Sequence, residues 1–244
     1  MTFLRLIAAT AGLCGSALAI TAANAAAHVI FSYPGTAHLT RLTTLEGQCQ
    51  IGGVIIFKDN VDSALPGYLA GLQSAYASAE CAVKGPLLIL TDQESGQVKR
   101  LPAGPTLSEK MTGQQSNRAA AGNTTGVQAA AALKAYNDNG NLAPVLDVYH
   151  EAGDFEDQNE RSYSNDSAVV ATAKHFPDLR VASATENTDA RPVTINRSLA
   201  DLRSINETPY TAAIPAGVKM IMPSWALYPA LDAEYPSGIS SKWI

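Results

Sequence analysis

The chain has 244 residues, 46% of them hydrophobic and 16% charged, with a formal net charge of −5. That is enough apolar material to fill the core of a globular fold. No basic cluster underlies the charge, which argues against nucleic acid as a partner.

Met1 to Arg5 supplies one positive charge, Leu6 to Ile20 is apolar or small throughout, and Ala23-Asn24-Ala25 has the small-x-small form of a signal-peptidase site. Residues 1–25 therefore read as a signal peptide and residues 26–244 as one exported domain. A lipobox at Cys14 is disfavoured because Leu13 stands where a small residue is needed. No later stretch reaches the roughly 18 apolar residues of a membrane span.

Beyond the leader, short apolar runs alternate with longer amphipathic ones, the pattern of βα units on a parallel sheet. Strands are expected at Val29–Tyr33, Gly53–Phe57, Leu87–Leu90, Leu142–Asp147, Val169–Ala173 and Lys219–Pro223. Helices are expected at Leu39–Glu46, Leu65–Ser78, Asn123–Asn139 and Leu199–Ala216, the last broken near Pro209, with Asn139-Gly140 as a helix stop. The connection from Val148 to Ala168 is anomalous. A parallel crossover normally carries a helix, yet this segment has no apolar helical face.

Cys49 lies just before the second expected strand and Cys81 just before the third, so both fall at the N-terminal end of neighbouring strands. In an oxidising compartment that pair is expected to form a disulfide. Sequons occur at Asn123, Asn165, Asn196 and Asn206.

Several strands end abruptly in polar residues: Leu87–Leu90 runs through Thr91 into Asp92-Gln93-Glu94-Ser95-Gly96, Leu142–Asp147 into a polar loop holding Arg161, and Val169–Ala173 into Lys174-His175-Phe176-Pro177. In a (β/α) barrel, polar residues at the C-terminal ends of strands mark the active site, because the strand-to-helix loops build it there.

Taken together, Gly52-Gly53-Val54-Ile55-Ile56-Phe57, Thr91-Asp92-Gln93-Glu94-Ser95-Gly96, Leu142-Ala143-Pro144-Val145-Leu146-Asp147-Val148, Arg161-Ser162-Tyr163-Ser164 and Ala173-Lys174-His175-Phe176-Pro177 resemble family-3 glycoside hydrolases. The likeness is greatest to the β-N-acetylhexosaminidase branch and runs from about Val29 to Ile244. It implies an α/β fold of (β/α)₈ TIM-barrel type, incomplete here at about six βα units. It also implies hydrolysis of terminal β-linked sugars, a β-N-acetylglucosaminide or β-glucoside, with retention and without a cofactor. By the same resemblance Asp92, Arg161, Lys174 and His175 bind sugar hydroxyls.

The departures matter as much. The family's general acid/base usually belongs to an Asp-x-His pair after the Lys-His-Phe-Pro run, whereas no histidine follows His175 here. Asp178, Glu186 and Asp189 are the remaining carboxyl candidates. The family nucleophile, an aspartate on a later strand, has no match up to Ile244, and Asp232 falls in a different loop. The chain is therefore expected to be catalytically impaired, and the contrasting reading is a non-catalytic sugar-binding remnant of the same fold. Six strands of an eight-stranded barrel should also leave edges open to self-association. No metal site is expected, since His28, His38, His150 and His175 are scattered without ligand spacing.

Overall fold

The computed structural model describes residues 25–37, 40–81, 85–149, 151–163, 174–179, 182–183 and 185–243. The proposed leader and the strand Val169–Ala173 thus lie outside the described residues, apart from Ala25. No described helix is long and apolar enough to cross a membrane.

Four parallel strands form one sheet in the order β1 (Ile30–Phe31), β2 (Gly53–Ile56), β3 (Leu88–Thr91) and β6 (Gly140–Asn141). β7 (Lys174–Phe176) pairs in parallel with β8 (Met222–Pro223), and a parallel bridge from Val145 to Lys174 links the two sheets. All six strands run the same way in chain order, giving an incomplete (β/α) barrel. β2 and β3 are buried or half-buried along their length save for Leu88 at the start of β3, as befits apolar runs in a parallel sheet. Gly53 is needed where they meet, since a Cβ there would lie 2.4 Å from the Leu88 carbonyl oxygen.

The helix Leu65–Ser78 matches its sequence expectation to the residue. Pro66 is preorganised for the first turn, and the Asp62 carboxylate accepts from the amides of Ala64 and Leu65. Its buried residues, Leu65, Leu69, Leu72 and Tyr76, recur at helical spacing and face the core between this helix, Thr40–Gly47 and the strands. Cys49 and Cys81 are disulfide-bonded, with 5.4 Å between their Cα atoms.

Other boundaries moved. The expected helix Asn123–Asn139 runs from Arg118 to Ala135, because Asn117 caps it by accepting from the Ala120 amide at 3.1 Å. Its stop is Asn137, in the left-handed region at φ 58°. Gly140 instead opens β6, where a Cβ would meet the Leu90 side chain at 2.2 Å. The expected strand Leu142–Asp147 contributes only the Val145 bridge, as regular pairing ends at Asn141. The last helix divides into Leu199–Asp201, a π turn over Leu202–Asn206, and Thr208–Ala213. An unanticipated hairpin, β4 (Gln93–Ser95) with β5 (Val98–Lys99), turns at Gly96, which has φ +55°. Among the described residues between Val148 and Tyr163 there is one helix, the four-residue Phe155–Gln158.

Candidate functional site

β3 delivers Asp92 and, through the first residues of the hairpin, Glu94. β7 delivers Lys174 and His175, and the loop after Phe155–Gln158 delivers Arg161. These elements meet at the C-terminal ends of the strands and form a continuous ionic cluster. Arg161 clamps Glu94 with two bonds, Nε to Oε2 at 2.7 Å and Nη2 to Oε1 at 2.9 Å. Its remaining nitrogen, Nη1, lies 2.8 Å from Glu156 Oε2. The Lys174 ammonium is shared, 2.6 Å from Glu94 Oε1 and 2.8 Å from Asp92 Oδ1. Arg100 stands further out, 3.7 Å from the other Asp92 oxygen.

His175 is fixed by Asp147 twice, through its backbone amide at 2.9 Å and its ring Nδ1 at 2.6 Å. With Nδ1–H donated to that carboxylate, Nε2 is left as an acceptor. Glu109 lies beneath the cluster in a short helix capped by Ser108, and accepts from the Val145 amide at 3.0 Å. Gly113 in the same helix packs where a Cβ would come within 1.7 Å of the Tyr163 carbonyl oxygen, so the Arg161 loop can seat only against glycine.

Burial and charge set the protonation of these groups. Burial pushes Glu94 up, but Lys174 and Arg161 together hold it below the usual carboxylate range. Asp147 is likewise buried, and His175 holds it down. Burial works against charge on Lys174 too, yet Glu94 and Asp92 keep the ammonium above its ordinary value. Two carboxyls go the other way. Burial and the neighbouring Glu94 charge raise Glu109 well above its usual range, and burial pushes Glu156 up to about 7 in spite of Arg161 and His175.

All four residues expected to bind sugar are thus brought together. Glu94, Glu109, Asp147 and Glu156 join them and were missed. Of the three carboxyl candidates for proton transfer, Glu186 caps its own turn by accepting from the Ser183 amide at 2.7 Å, and Asp189 is exposed. Asp178 is buried, with its carboxylate taking the Asn206 amide and its carbonyl the Tyr228 hydroxyl. The sequence also concealed one grouping of metal-ligand type: Asp147, Glu156 and His175 place ligand atoms within 4.8 Å of one another. Here His175 and Arg161 already engage those carboxylates.

A cavity of about 720 Å³ lies along the helix Arg118–Ala135, lined by small residues such as Ala119, Gly122, Gly126 and Ala130. It touches the cluster through Glu94, while Asp92, Arg161, Lys174 and His175 do not line it. It runs from that helix to the strand ends, where Gln93, Glu94, Asn141 and Tyr163 complete its wall.

The glycosyl hydrolase family 3 N-terminal domain matches residues 40–244. An uncharacterised secreted glycosyl hydrolase of Arthroderma benhamiae is 43% identical over 256 aligned positions, covering 98% of this chain and 72% of that protein. A β-hexosaminidase of Nitrosomonas eutropha is 31% identical, over 80% of this chain and 60% of its own length. Among solved structures, a family 3 β-N-acetylglucosaminidase from Paenibacillus superposes with a TM-score of 0.74 at 24% identity, covering 91% of this chain and 45% of that one.

Proposed function

Because the chain belongs to glycoside hydrolase family 3, we propose that it is an exported member of that family which grips a terminal β-linked sugar through Asp92 and His175. The observation that carries this reading is the ionic cluster at the strand ends. Its inner members are nearly closed off, with Lys174 5% exposed, whereas Asp92 and His175 keep 15% and 16% of their side-chain surface open. An ionised carboxylate accepts from two neighbouring hydroxyls, and an imidazole Nε2 from a third. Lys174 then acts mainly by fixing the acidic residues, while Arg161, with 13% of its side-chain surface open, fixes them and also borders the sugar. The Lys174-His175-Phe176-Pro177 run and the β-hexosaminidase relatives favour an N-acetylglucosaminide, with a β-glucoside as the other substrate class.

Binding is the better-supported half of this function. A retaining glycosidase needs a nucleophilic carboxylate and a protonated acid about 5 Å apart across the anomeric carbon. In the described cluster, the two carboxyls held toward the protonated form are Glu109 and Glu156, 1% and 0% exposed, and neither can touch a substrate. Glu94 is held ionised by Lys174 and Arg161, and Asp147 by the two bonds it accepts from His175. The chain as it stands is therefore expected to bind sugar while hydrolysing it poorly, which is the behaviour of a carbohydrate-binding remnant.

Chromophore release from aryl β-N-acetylglucosaminides and aryl β-glucosides, run beside calorimetric titration with the free sugars, tests both halves. Saturable binding lost in Asp92→Ala, with turnover several powers of ten below family rates, is the expected result. Binding unchanged in Asp92→Ala removes the site assignment, and ordinary turnover removes the reading of impaired catalysis. Export is supported by the apolar amino terminus, the disulfide and the secreted fungal relative. A mature terminus at Ala26 is its direct test.

A further inference from the structure

Of the four sequons, Asn165 lies outside the described residues; the other three are not equivalent once the chain is folded, and we infer that Asn196 is an N-glycan acceptor while Asn206 is not. The inference rests on export through a eukaryotic secretory pathway.

Asn196 stands in the stretch Val193–Ser198. The Ile195 amide donates to the Leu227 carbonyl and the Leu227 amide to the Val193 carbonyl, each at 2.8 Å, and Thr194 bridges Leu227 in parallel. This pairing imposes strand alternation. Val193 and Ile195 point into the core formed with Leu202 and Tyr228, and Thr194 and Asn196 point to solvent. The Arg197 amide then donates back to the Ile195 carbonyl at 3.2 Å, placing Asn196 at the apex of a tight turn. Ser198, the sequon hydroxyl, is exposed and caps the next helix by accepting from the Asp201 amide. A bulky glycan on Asn196 thus extends into water, and no described hydrogen bond of its side chain is lost.

Asn206 is the opposite case. It ends the π turn Leu202–Asn206, is 3% exposed, and donates its Nδ2 to the Asp178 carboxylate. Glycosylation would replace one of the two hydrogens on that same nitrogen, crowding its bond to a buried carboxylate and placing a hydrophilic oligosaccharide within the fold. Both effects cost stability. Asn123 is exposed but lies inside the helix Arg118–Ala135, where the Thr125 hydroxyl bonds the Ala121 carbonyl. The surface turn at Asn196 has the setting that sequon chemistry favours.

The step is a substitution at an anomeric carbon. The Asn196 amide nitrogen forms a C–N bond to the first sugar of a polyprenyl-diphosphate-linked oligosaccharide. The bond from that carbon to the diphosphate oxygen breaks, the lipid diphosphate leaves, and the amide proton passes to solvent through the transferase.

The test is expression of the full chain in a eukaryotic secretory host, once with its own amino terminus and once behind a host leader. Peptide N-glycosidase digestion in ¹⁸O water, followed by peptide mapping, then reads each sequon. Labelled aspartate at position 196 and unlabelled asparagine at 206 are expected in the folded, protease-resistant fraction. Asn196→Gln should increase gel mobility by one glycan-sized step with the melting temperature of the deglycosylated protein unchanged. Asn206→Gln should leave mobility unchanged and lower that temperature. Unmodified Asn196 in protein that has passed the endoplasmic reticulum, or a glycan on Asn206 in the folded fraction, overturns the inference. Modification behind the host leader alone would count against the export reading and leave the sequon inference standing.

Discussion

Glu94→Gln is the most informative single change, because one buried carboxylate anchors two cations of the proposed sugar site. Glu94 accepts three short contacts, two from Arg161 at 2.7 and 2.9 Å and one from Lys174 at 2.6 Å. A glutamine of the same shape can keep its oxygen at the Oε1 position, where Arg161 Nη2 and Lys174 both donate, but it turns an amide donor toward Arg161 Nε, so at least one of the three is lost and the negative charge with it. A hydrogen bond to a charged group contributes about 1.5–3 kcal/mol. Breaking a buried ion pair by removing one partner independently costs about 3–5 kcal/mol. Against a total stability of about 5–15 kcal/mol this is a large fraction, and with a urea slope of about 3 kcal/mol/M the midpoint falls by about 1 M or more. The pH dependence has a definite sign. The folded-state pKa of Glu94 lies below its ordinary value, so its contribution is present above the unfolded value and is lost as pH falls through the folded one. The gap between wild type and variant should hold from pH 8 to about 4.5 and close below that. Urea titrations across this range, with a double-mutant cycle adding Lys174→Met, provide the assay. A loss under about 1 kcal/mol, or coupling to Lys174 within about 0.5 kcal/mol of zero, refutes the account of Glu94 as the anchor.

Three further outcomes follow from the fold. Replacing Cys49 and Cys81 together by alanine should cost about 3–4 kcal/mol in urea unfolding through chain entropy, the bridged residues being 32 apart in sequence; an unchanged midpoint would remove the disulfide from the fold's support. Burial raises Glu46 and Asp138 to about 7 each, so the wild type should lose stability as pH rises from about 4.5 through 7. Glu46→Gln should flatten that fall, and an equally steep loss in the variant rules Glu46 out as a cause. We also propose that the chain self-associates through its open edges, where Val29, Ile30 and Phe31 beside β1 and Met220 and Ile221 beside β8 are exposed. Sedimentation velocity should show concentration-dependent association and hydrophobic dyes should bind, whereas a dye-silent monomer across micromolar concentrations refutes it.

The sequence was legible where a local rule decides the structure. The helix Leu65–Ser78 carries its own start and its own apolar face, and β2 and β3 are unbroken apolar runs. Cys49 and Cys81 could be paired because strand order placed them at one end of the sheet. Asp92, Lys174 and His175 stood out as polar residues at strand ends. Glu94 was in plain view beside Asp92, yet its role depends on Arg161, 67 residues away, and no local pattern carries that. Glu156 had less signal still, lying in a segment with no helical face. Glu109 follows a serine cap, a readable helix start, but its bond from the Val145 amide joins residues 36 apart, which spacing cannot reveal. Gly140 misled because a glycine after a helix suggests a stop, whereas here it admits the Leu90 side chain.

The connection after Val148 and the ionic cluster are separable features. Alignment with the fungal relative spans 256 positions, more than the 244 residues of this chain, so that protein carries internal residues with no counterpart here. The described connection after Val148 holds one four-residue helix, and the cavity of about 720 Å³ lies along the small-residue face of Arg118–Ala135. A crossover helix burying on the order of 500 Å² of apolar surface would contribute about 12 kcal/mol before chain entropy is charged against it. That is larger than any one ion pair in the cluster. Yet Asp92, Glu94, Arg161, Lys174 and His175 make their described ion pairs with one another and with Arg100, Asp147 and Glu156, with no partner drawn from the cavity wall other than Glu94 itself. Supplying such a helix against the Arg118–Ala135 face should therefore raise the unfolding midpoint strongly while changing sugar affinity little. A matching gain in affinity would mean that the void and the site are one structure, and that the ionic cluster in its present form is only a collapsed remnant.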